Sequence, residues 1–465
     1  MGKLRKSAVV SMAGLVLSLG VYGSASAMTN APDSSGVTVK LGASRALPAG
    51  FFGINYDYGG AAVYVKDSRV PQQLAALAPA TLRWPGGTGA NYFQWRKGYP
   101  QPPSGQTCAD HECETDGFRF TLADLAAAYK ASGAIPIFDL NIMTSTLTQQ
   151  IDMLKAAKNT YKLPVKYVEL GNELYLPNSD YVHKFPTAQD YGKAVAADVK
   201  ALHKAFPDAV VAAVGSADNG TARESGWNAG MLSEAKGGGR PNVITLHDHP
   251  QYNKSLTTSG LPALFTLPYT SAANLAKVSK AFGSTPTWIT EYGLSLSFSG
   301  KNPAQYTYAN ALWESEAAIL IAQDVHDATL VNYWAAFGSV VSYAYTSSGL
   351  TANGLAMTWL DQAARGARTE RPLVFAGAPH LGSSGDAALV GESFGGTRSR
   401  AEIVVNLSGK SIGITTNAAI PSGTRYEQVT GQPVDRISEA SQLTVKNGVT
   451  GQSVTLAPYS ITVIG

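Results

Sequence analysis

Eight short apolar runs punctuate the chain between Phe51 and Trp334, and the stretches between them repeat at helical spacing. The runs cover residues 51–58, 81–84, 135–141, 165–172, 210–214, 243–247, 286–291 and 328–334. A strand that is apolar throughout is buried on both faces, and a helix after each strand lets the next one run parallel. The pattern therefore predicts consecutive βαβ units. Thr187 and Asp190 have the spacing of a capping box, and Tyr191, Val195, Val199, Leu202 and Phe206 then return on one helical face. Leu147, Ile151 and Leu154 do the same after the third run. Eight repeats fit a closed (β/α)8 TIM barrel of the α/β class better than an open sheet.

The rhythm changes after a helix near residues 354–367. Runs at 388–394, 401–407, 424–429, 442–445 and 454–464 are separated by Gly, Ser and Asn turns with no helix between them, which predicts a β-sandwich. Residues 37–41 are strand-like and are expected to join it. The expected organisation is a barrel over 51–367 and a C-terminal sandwich over 368–465, with 28–50 supplying an N-terminal strand.

Residues 1–27 carry Lys3, Arg5 and Lys6, an apolar stretch over 8–21 and the small residues Ala25-Ser26-Ala27. This is the pattern of a signal peptide, so the product is expected to be secreted or periplasmic without a stable membrane anchor. Those three bases account for the whole formal charge of +3, leaving a neutral mature chain with no electrostatic case for nucleic acid. The two cysteines, Cys108 and Cys113, lie in a polar segment and are expected to form a local disulfide in an oxidising compartment. The alternative is a zinc pair completed by His111.

Catalytic side chains of such a barrel sit at the carboxyl ends of its strands. Three ends are polar: Leu82-Arg83-Trp84-Pro85-Gly86-Gly87 on the second, Glu169-Leu170-Gly171-Asn172-Glu173 on the fourth, and Thr287-Trp288-Ile289-Thr290-Glu291 on the seventh. Two carboxylates across one mouth are what glycoside hydrolysis requires, one protonating the leaving oxygen and the other attacking the anomeric carbon. Glu173 is read as the general acid/base and Glu291 as the nucleophile, with Glu169 ranked below them. A nucleophile must stay ionised, so Arg83 is assigned to holding Glu291 charged. The alternative is that Arg83 braces a loop.

His247-Asp248-His249 on the sixth run places two imidazoles at i and i+2, a spacing open to zinc. Strand one offers only Asn55 and Asp57, so the preferred reading uses no metal and no cofactor and sends His247, His249 and Tyr252 to the sugar pocket. Asn172, Tyr292, Trp334 and Tyr343 are further candidates for substrate contact. The aromatics Tyr56, Trp84, Tyr92 and Tyr175 also fall at strand mouths, where rings stack on the C–H faces of sugars.

The segments from Arg83 to Gly87, Gly171-Asn172-Glu173 and Ile289-Thr290-Glu291 resemble the retaining clan A barrel glycosidases. Within that clan the chain most resembles glycoside hydrolase family 79, the heparanases and β-glucuronidases, through Arg83, Gly86, Gly87, Thr88 and the run Glu169 to Glu173. That resemblance implies an endo-acting β-glucuronidase on an acidic polysaccharide such as heparan sulfate. Arg96, Lys97, His183 and Lys184 would then offer a basic strip, and Tyr343 or Tyr345 a hydroxyl for the uronate. The chain departs from that family where Leu174-Tyr175 precedes Pro177-Asn178, and where Gly293-Leu294-Ser295 replaces a glycine-rich uronate-binding stretch. Arg83-Trp84-Pro85-Gly86-Gly87 and residues 457–463 also resemble the α-L-arabinofuranosidases of glycoside hydrolase family 51, the alternative substrate reading. A different class of answer is a carbohydrate-binding barrel without catalysis. In every case the partner is a sugar chain, and a monomer is expected.

Overall fold

A computed structural model describes residues 36–61, 64–102, 118–218, 220–295, 302–338, 343–396 and 400–465. The signal-peptide reading and the Cys108–Cys113 disulfide fall outside the described residues. Eight parallel strands close into a barrel: β1 (Phe52–Asn55), β2 (Thr81–Trp84), β3 (Ile135–Asp139), β4 (Tyr167–Leu170), β5 (Val210–Val214), β6 (Val243–Asp248), β7 (Thr287–Tyr292) and β8 (Ala328–Tyr333). All eight apolar runs are barrel strands. The segments between them carry helices that begin on Thr capping boxes, at Thr121/Asp124, Thr146/Gln149, Thr187/Asp190 and Thr221/Glu224. In each box the side chains satisfy amide groups that have no partner inside the helix.

The barrel interior is layered. Near the base, Ile137, Ala212, Val243, Trp288 and Leu330 form an apolar plug. Above it the interior turns polar, with Asn55, Arg83, Asp139, Glu169 and Thr290 all buried. The eight strand ends then open into the mouth. One irregularity matters here: Leu246 pairs with Ile289 but His247 pairs with Glu291, so Thr290 is an extra residue on β7. Such a bulge re-aims side chains. Thr290 and Glu291 both turn into the barrel, where period-two alternation would send one of them out.

The helices Tyr308–Asp324 and Ala352–Ala364 are buried on most of their surface because the C-terminal domain packs on them. That domain is an antiparallel sheet built from β9 (Ala367–Ala376), β10 (Leu389–Gly396), β11 (Arg400–Asn406), β13 (Arg425–Thr430), β14 (Thr444–Val449) and β16 (Ser460–Ile464). The N-terminal strand Thr38–Leu41 pairs with β9. A second layer is the pair β12 (Ile412–Thr415) and β15 (Ser453–Leu456), and Val39, Leu373, Val404, Ile414 and Leu456 fill the space between.

Two details differ from the sequence reading. The run 454–464 is two strands, because Pro458 donates no amide and Tyr459 takes φ 46°, so the chain crosses from one layer to the other there. The strands β9 and β12 were not anticipated. β9 carries Arg368, Glu370, Arg371 and Pro372, which hide its strand character, and β12 is only four residues long.

Candidate active site

Arg83, at the end of β2, has no exposed surface. Its Nε donates to Glu169 at 2.5 Å, one terminal nitrogen donates to Glu291 at 2.5 Å and to Asn55 at 3.2 Å, and the other donates to Asn172 at 2.8 Å. That second terminal nitrogen also lies 2.9 Å from Asp139. The planar fork of a guanidinium can face this many acceptors at once, whereas an ammonium cannot. Although burial opposes its charge, the surrounding carboxylates of Glu169, Asp139 and Glu291 hold it firmly protonated. Burial works the other way on Asp139, raising its pKa well above the ordinary carboxylate value.

Glu291 is buried at the end of β7, and burial alone would favour its neutral form. Nearby His247 and Arg83, together with the hydrogen bond from His249, reverse this and lower its pKa to about 2. His249 Nε2 lies 3.0 Å from the Glu291 carboxylate and His249 Nδ1 lies 3.2 Å from the Gly293 carbonyl. Burial opposes charge on this ring as well, but the bond to Glu291 wins and raises its pKa to about 9. An imidazolium there donates to both neighbours.

Glu173 follows Gly171 and Asn172 and adopts φ 48°, a left-handed backbone that a side-chain-bearing residue adopts at a cost. The loop is clamped from the β2 side: Asn91 donates to the Asn172 carbonyl at 2.7 Å and accepts from its amide at 2.9 Å. The half-buried Glu173 carboxylate lies 2.9 Å from His247 Nδ1 and accepts from the Tyr175 hydroxyl at 3.3 Å. The other ring nitrogen of His247 lies 3.1 Å from the Thr290 hydroxyl, which itself donates to Glu169 at 3.1 Å. Because that hydroxyl's one proton goes to Glu169, it accepts from His247 Nε2–H, and the ring orientation is set.

Glu173, His249 and Glu291 line a cleft of about 380 Å³ whose walls include Asp57, Gly87, Thr88, Asn172, Trp334 and Tyr343. Gly87 has φ 64°, and a Cβ there would sit 2.9 Å from the Trp334 indole, so the wall needs a glycine at that point. A larger cavity of about 550 Å³ lies at the opposite end of the barrel, around Leu47, Pro48, Pro79 and Gly366. Asp361 is the one carboxylate lining it among the described residues, which supply no second acid for hydrolysis there.

Arg83, Asn172, Glu173, His247, His249, Glu291, Trp334 and Tyr343 therefore come together. Other expectations are corrected. Tyr292 is buried with its hydroxyl on the Met357 sulfur at 3.2 Å, because the residue after Glu291 turns outward to the helix layer. Tyr252 folds back on its own loop, 3.3 Å from the Gly260 carbonyl. Tyr56, Trp84 and Tyr92 are buried, with Trp84 packed edge-on against Phe93, Phe120 and Phe138. Of the proposed basic strip, Arg96 stacks on Trp95 at 4.2 Å, and neither it nor Lys97, His183 or Lys184 lines the cleft.

Glu169 lies inside the barrel as a partner of Arg83. Asp139 and Asn91 were missed. Asp139 was within reach, since it too is a carboxylate at a strand end, but Asn91 gives no sequence signal.

The expectation of too few metal ligands is also revised. Glu173, His247, His249 and Glu291 each offer one ligand atom, and these four atoms lie within 4.8 Å of one another.

No family model matches this chain, and no curated protein matches it by sequence. Solved structures do. The α-L-arabinofuranosidase of Thermotoga maritima superposes with a TM-score of 0.69 at 17% identity, covering 92% of this chain and 99% of that one. A family 51 α-L-arabinofuranosidase from Bifidobacterium longum gives 0.74 at 16% identity, covering 94% and 99%. A 4-O-α-L-rhamnosyl-β-D-glucuronidase from Fusarium oxysporum gives 0.63 at 13% identity, covering 92% and 99%. The fold is thus the barrel-plus-sheet architecture of these proteins along nearly their whole length.

Proposed function

We propose that this chain is a retaining glycoside hydrolase acting on α-L-arabinofuranosides. The observation that carries the reaction class is the pair Glu173 and Glu291 on a cleft floor, with ligand oxygens within 4.8 Å and only Glu291 held by a guanidinium. Retention calls for carboxyl groups about 5–5.5 Å apart, whereas inversion leaves room for a water at roughly 6.5–9.5 Å. Glu291 attacks the anomeric carbon as Glu173 protonates the leaving oxygen. Glu173 then takes a proton from water as the glycosyl–Glu291 ester is hydrolysed. The intact set of Arg83, Asn172, Glu173 and Glu291 favours an enzyme over a binding protein.

Two observations favour a neutral furanoside over a uronide. Among the described residues the cleft walls carry Asp57, Glu173 and Glu291 but neither Lys nor Arg, and Arg83 below them spends its nitrogens on Asn55, Asp139, Glu169, Asn172 and Glu291. A uronate carboxylate would be desolvated there beside three acidic side chains, and the one cation on the described wall, His249, is already held by Glu291, which makes its burial costly. The likeness to arabinofuranosidase structures points the same way. The leader read in the sequence would place the reaction outside the cytoplasm.

The test is hydrolysis of nitrophenyl α-L-arabinofuranoside beside nitrophenyl β-D-glucuronide, with the anomer of the first product followed by proton NMR. Turnover of the arabinofuranoside with retention supports the proposal. Turnover of the glucuronide alone reverses the substrate, and an inverted product removes the mechanism.

A further inference from the structure

We propose that Glu173, His247, His249 and Glu291 also form a site for one divalent transition cation of the zinc type, and that filling this site blocks catalysis. The inhibitory half rests on the glycosidase reading above, while the binding half stands on geometry alone.

The donor set is two imidazole nitrogens and two carboxylate oxygens, within 4.8 Å of one another. His247 Nδ1 lies 2.9 Å from Glu173 and 3.6 Å from Glu291, and His249 Nε2 lies 3.0 Å from Glu291. Around a tetrahedral zinc with bonds of about 2.0–2.1 Å, neighbouring donors sit about 3.3 Å apart. The observed spacings straddle that edge length, so small side-chain shifts would seat an ion.

The rings are also oriented as metal-binding imidazoles are. A ligating histidine uses its other N–H to anchor itself, which fixes both tautomer and direction. His247 is anchored through Nε2 on Thr290, and His249 through Nδ1 on the Gly293 carbonyl. In their neutral forms both rings turn their lone pairs towards the two carboxylates. Glu291 divides its oxygens between tasks, with one on Arg83 and the other facing His249. The second oxygen is therefore available to a cation without disturbing the guanidinium. Two carboxylates balance a dication, and two nitrogen donors favour zinc-type ions over calcium or magnesium, which prefer all-oxygen sites.

An ion in this position uses the lone pairs that the proposed reaction needs. Glu291 could no longer attack, Glu173 could no longer carry the leaving group's proton, and the ion would occupy the floor on which the sugar sits. Inhibition should therefore compete with substrate.

The test uses the full chain. Cobalt(II) titration read by visible absorption, with zinc binding by calorimetry, should show one ion per chain and the strong bands of a four-coordinate centre. His249→Ala and His247→Gln should each weaken binding by about tenfold or more. His380→Ala, at an exposed imidazole on the C-terminal domain, should leave it unchanged. Zinc should raise KM for the arabinofuranoside while leaving kcat unchanged, and a chelator should reverse the effect. Absence of saturable cobalt binding, or equal affinity in both histidine variants, would overturn the site. If a chelator abolished activity, the metal would be a cofactor, and the inhibitory claim would fall together with the two-carboxylate mechanism. If no glycoside were turned over while the cobalt bands persisted, inhibition and the proposed function would fall but the site would stand.

Discussion

Replacing Arg83 by Lys keeps a positive charge at the centre of the barrel and removes the fork that spreads it. The guanidinium reaches Glu169 and Glu291 at 2.5 Å each, and Asn55 and Asn172 as well. An ammonium in the same space satisfies only part of that set. Each charge-assisted hydrogen bond contributes roughly 1.5–3 kcal/mol, so losing one or two of them should destabilise the fold by about 3 kcal/mol. The catalytic consequence is separate. Lowering the Glu291 pKa from 4.5 to about 2 corresponds to about 3 kcal/mol of preference for the ionised form, shared among His247, Arg83 and His249. If Arg83 supplies a third or more of it, Arg83→Lys raises that pKa by about one unit. The wild-type kcat/KM should then be flat on the acid side down to about pH 3, while the variant should begin to fall below about pH 4 and reach half its plateau near pH 3. Circular dichroism at each pH separates this limb from unfolding. A variant that is folded with an unmoved acidic limb would refute the idea that the guanidinium acts on Glu291.

Three further outcomes follow from the same geometry. Glu291→Ala and Glu173→Ala should each lower turnover by several powers of ten and respond differently to azide. The first should give the inverted glycosyl azide and the second the retained one, and near-normal activity of either on an unactivated substrate would remove its assigned role. Gly87→Ala places a Cβ 2.9 Å from the Trp334 indole at φ 64°, so a cost of about 1–2 kcal/mol and a several-fold higher KM are expected from thermal melts and kinetics. Glu392 is buried beneath the helix Tyr308–Asp324; burial raises its pKa to about 8 despite the hydrogen bond from Gln323. The folded state therefore holds this proton more tightly than the unfolded chain, and stability is lost as pH rises from about 4.5 through about 8. Glu392→Gln should melt higher than wild type at pH 8, with the gap closing by about pH 5, and an equal gap at both pH values would contradict this.

What could be read in the sequence depended on whether a residue's neighbours were local. The barrel strands were legible because burial on both faces leaves continuous apolar runs, as in Val210–Val214. Glu173, Glu291 and Arg83 were legible because a strand end in such a barrel points to the mouth. Tyr292 was misplaced by the same rule, since one residue beyond Glu291 the chain faces Met357 and the helices. Asn91 was invisible: its role is to hold the backbone of Asn172, 81 residues away, and nothing near it in sequence reports that. The pairing of Glu173 with His247 likewise exists only because the bulge at Thr290 and the left-handed turn at Glu173 bring β4, β6 and β7 to one point.

Charge accounting in the barrel explains why the polar layer has this composition. Asp139, Glu169 and Glu291 surround one guanidinium, an excess of acid that burial would not tolerate if all three were ionised. Two features ease the excess: burial raises the Asp139 pKa well above the ordinary carboxylate value, and the hydrogen bond to Glu291 raises that of His249 to about 9. On the proposed roles, attack by Glu291 consumes its negative charge in the ester bond, and departure of the proton from Glu173 creates another. The negative charge thus passes from one carboxylate to the other, with His247 lying 3.6 Å from the first and 2.9 Å from the second. The total charge is unchanged across that step, so the low-dielectric interior holds one charged carboxylate of the pair before it and one after it.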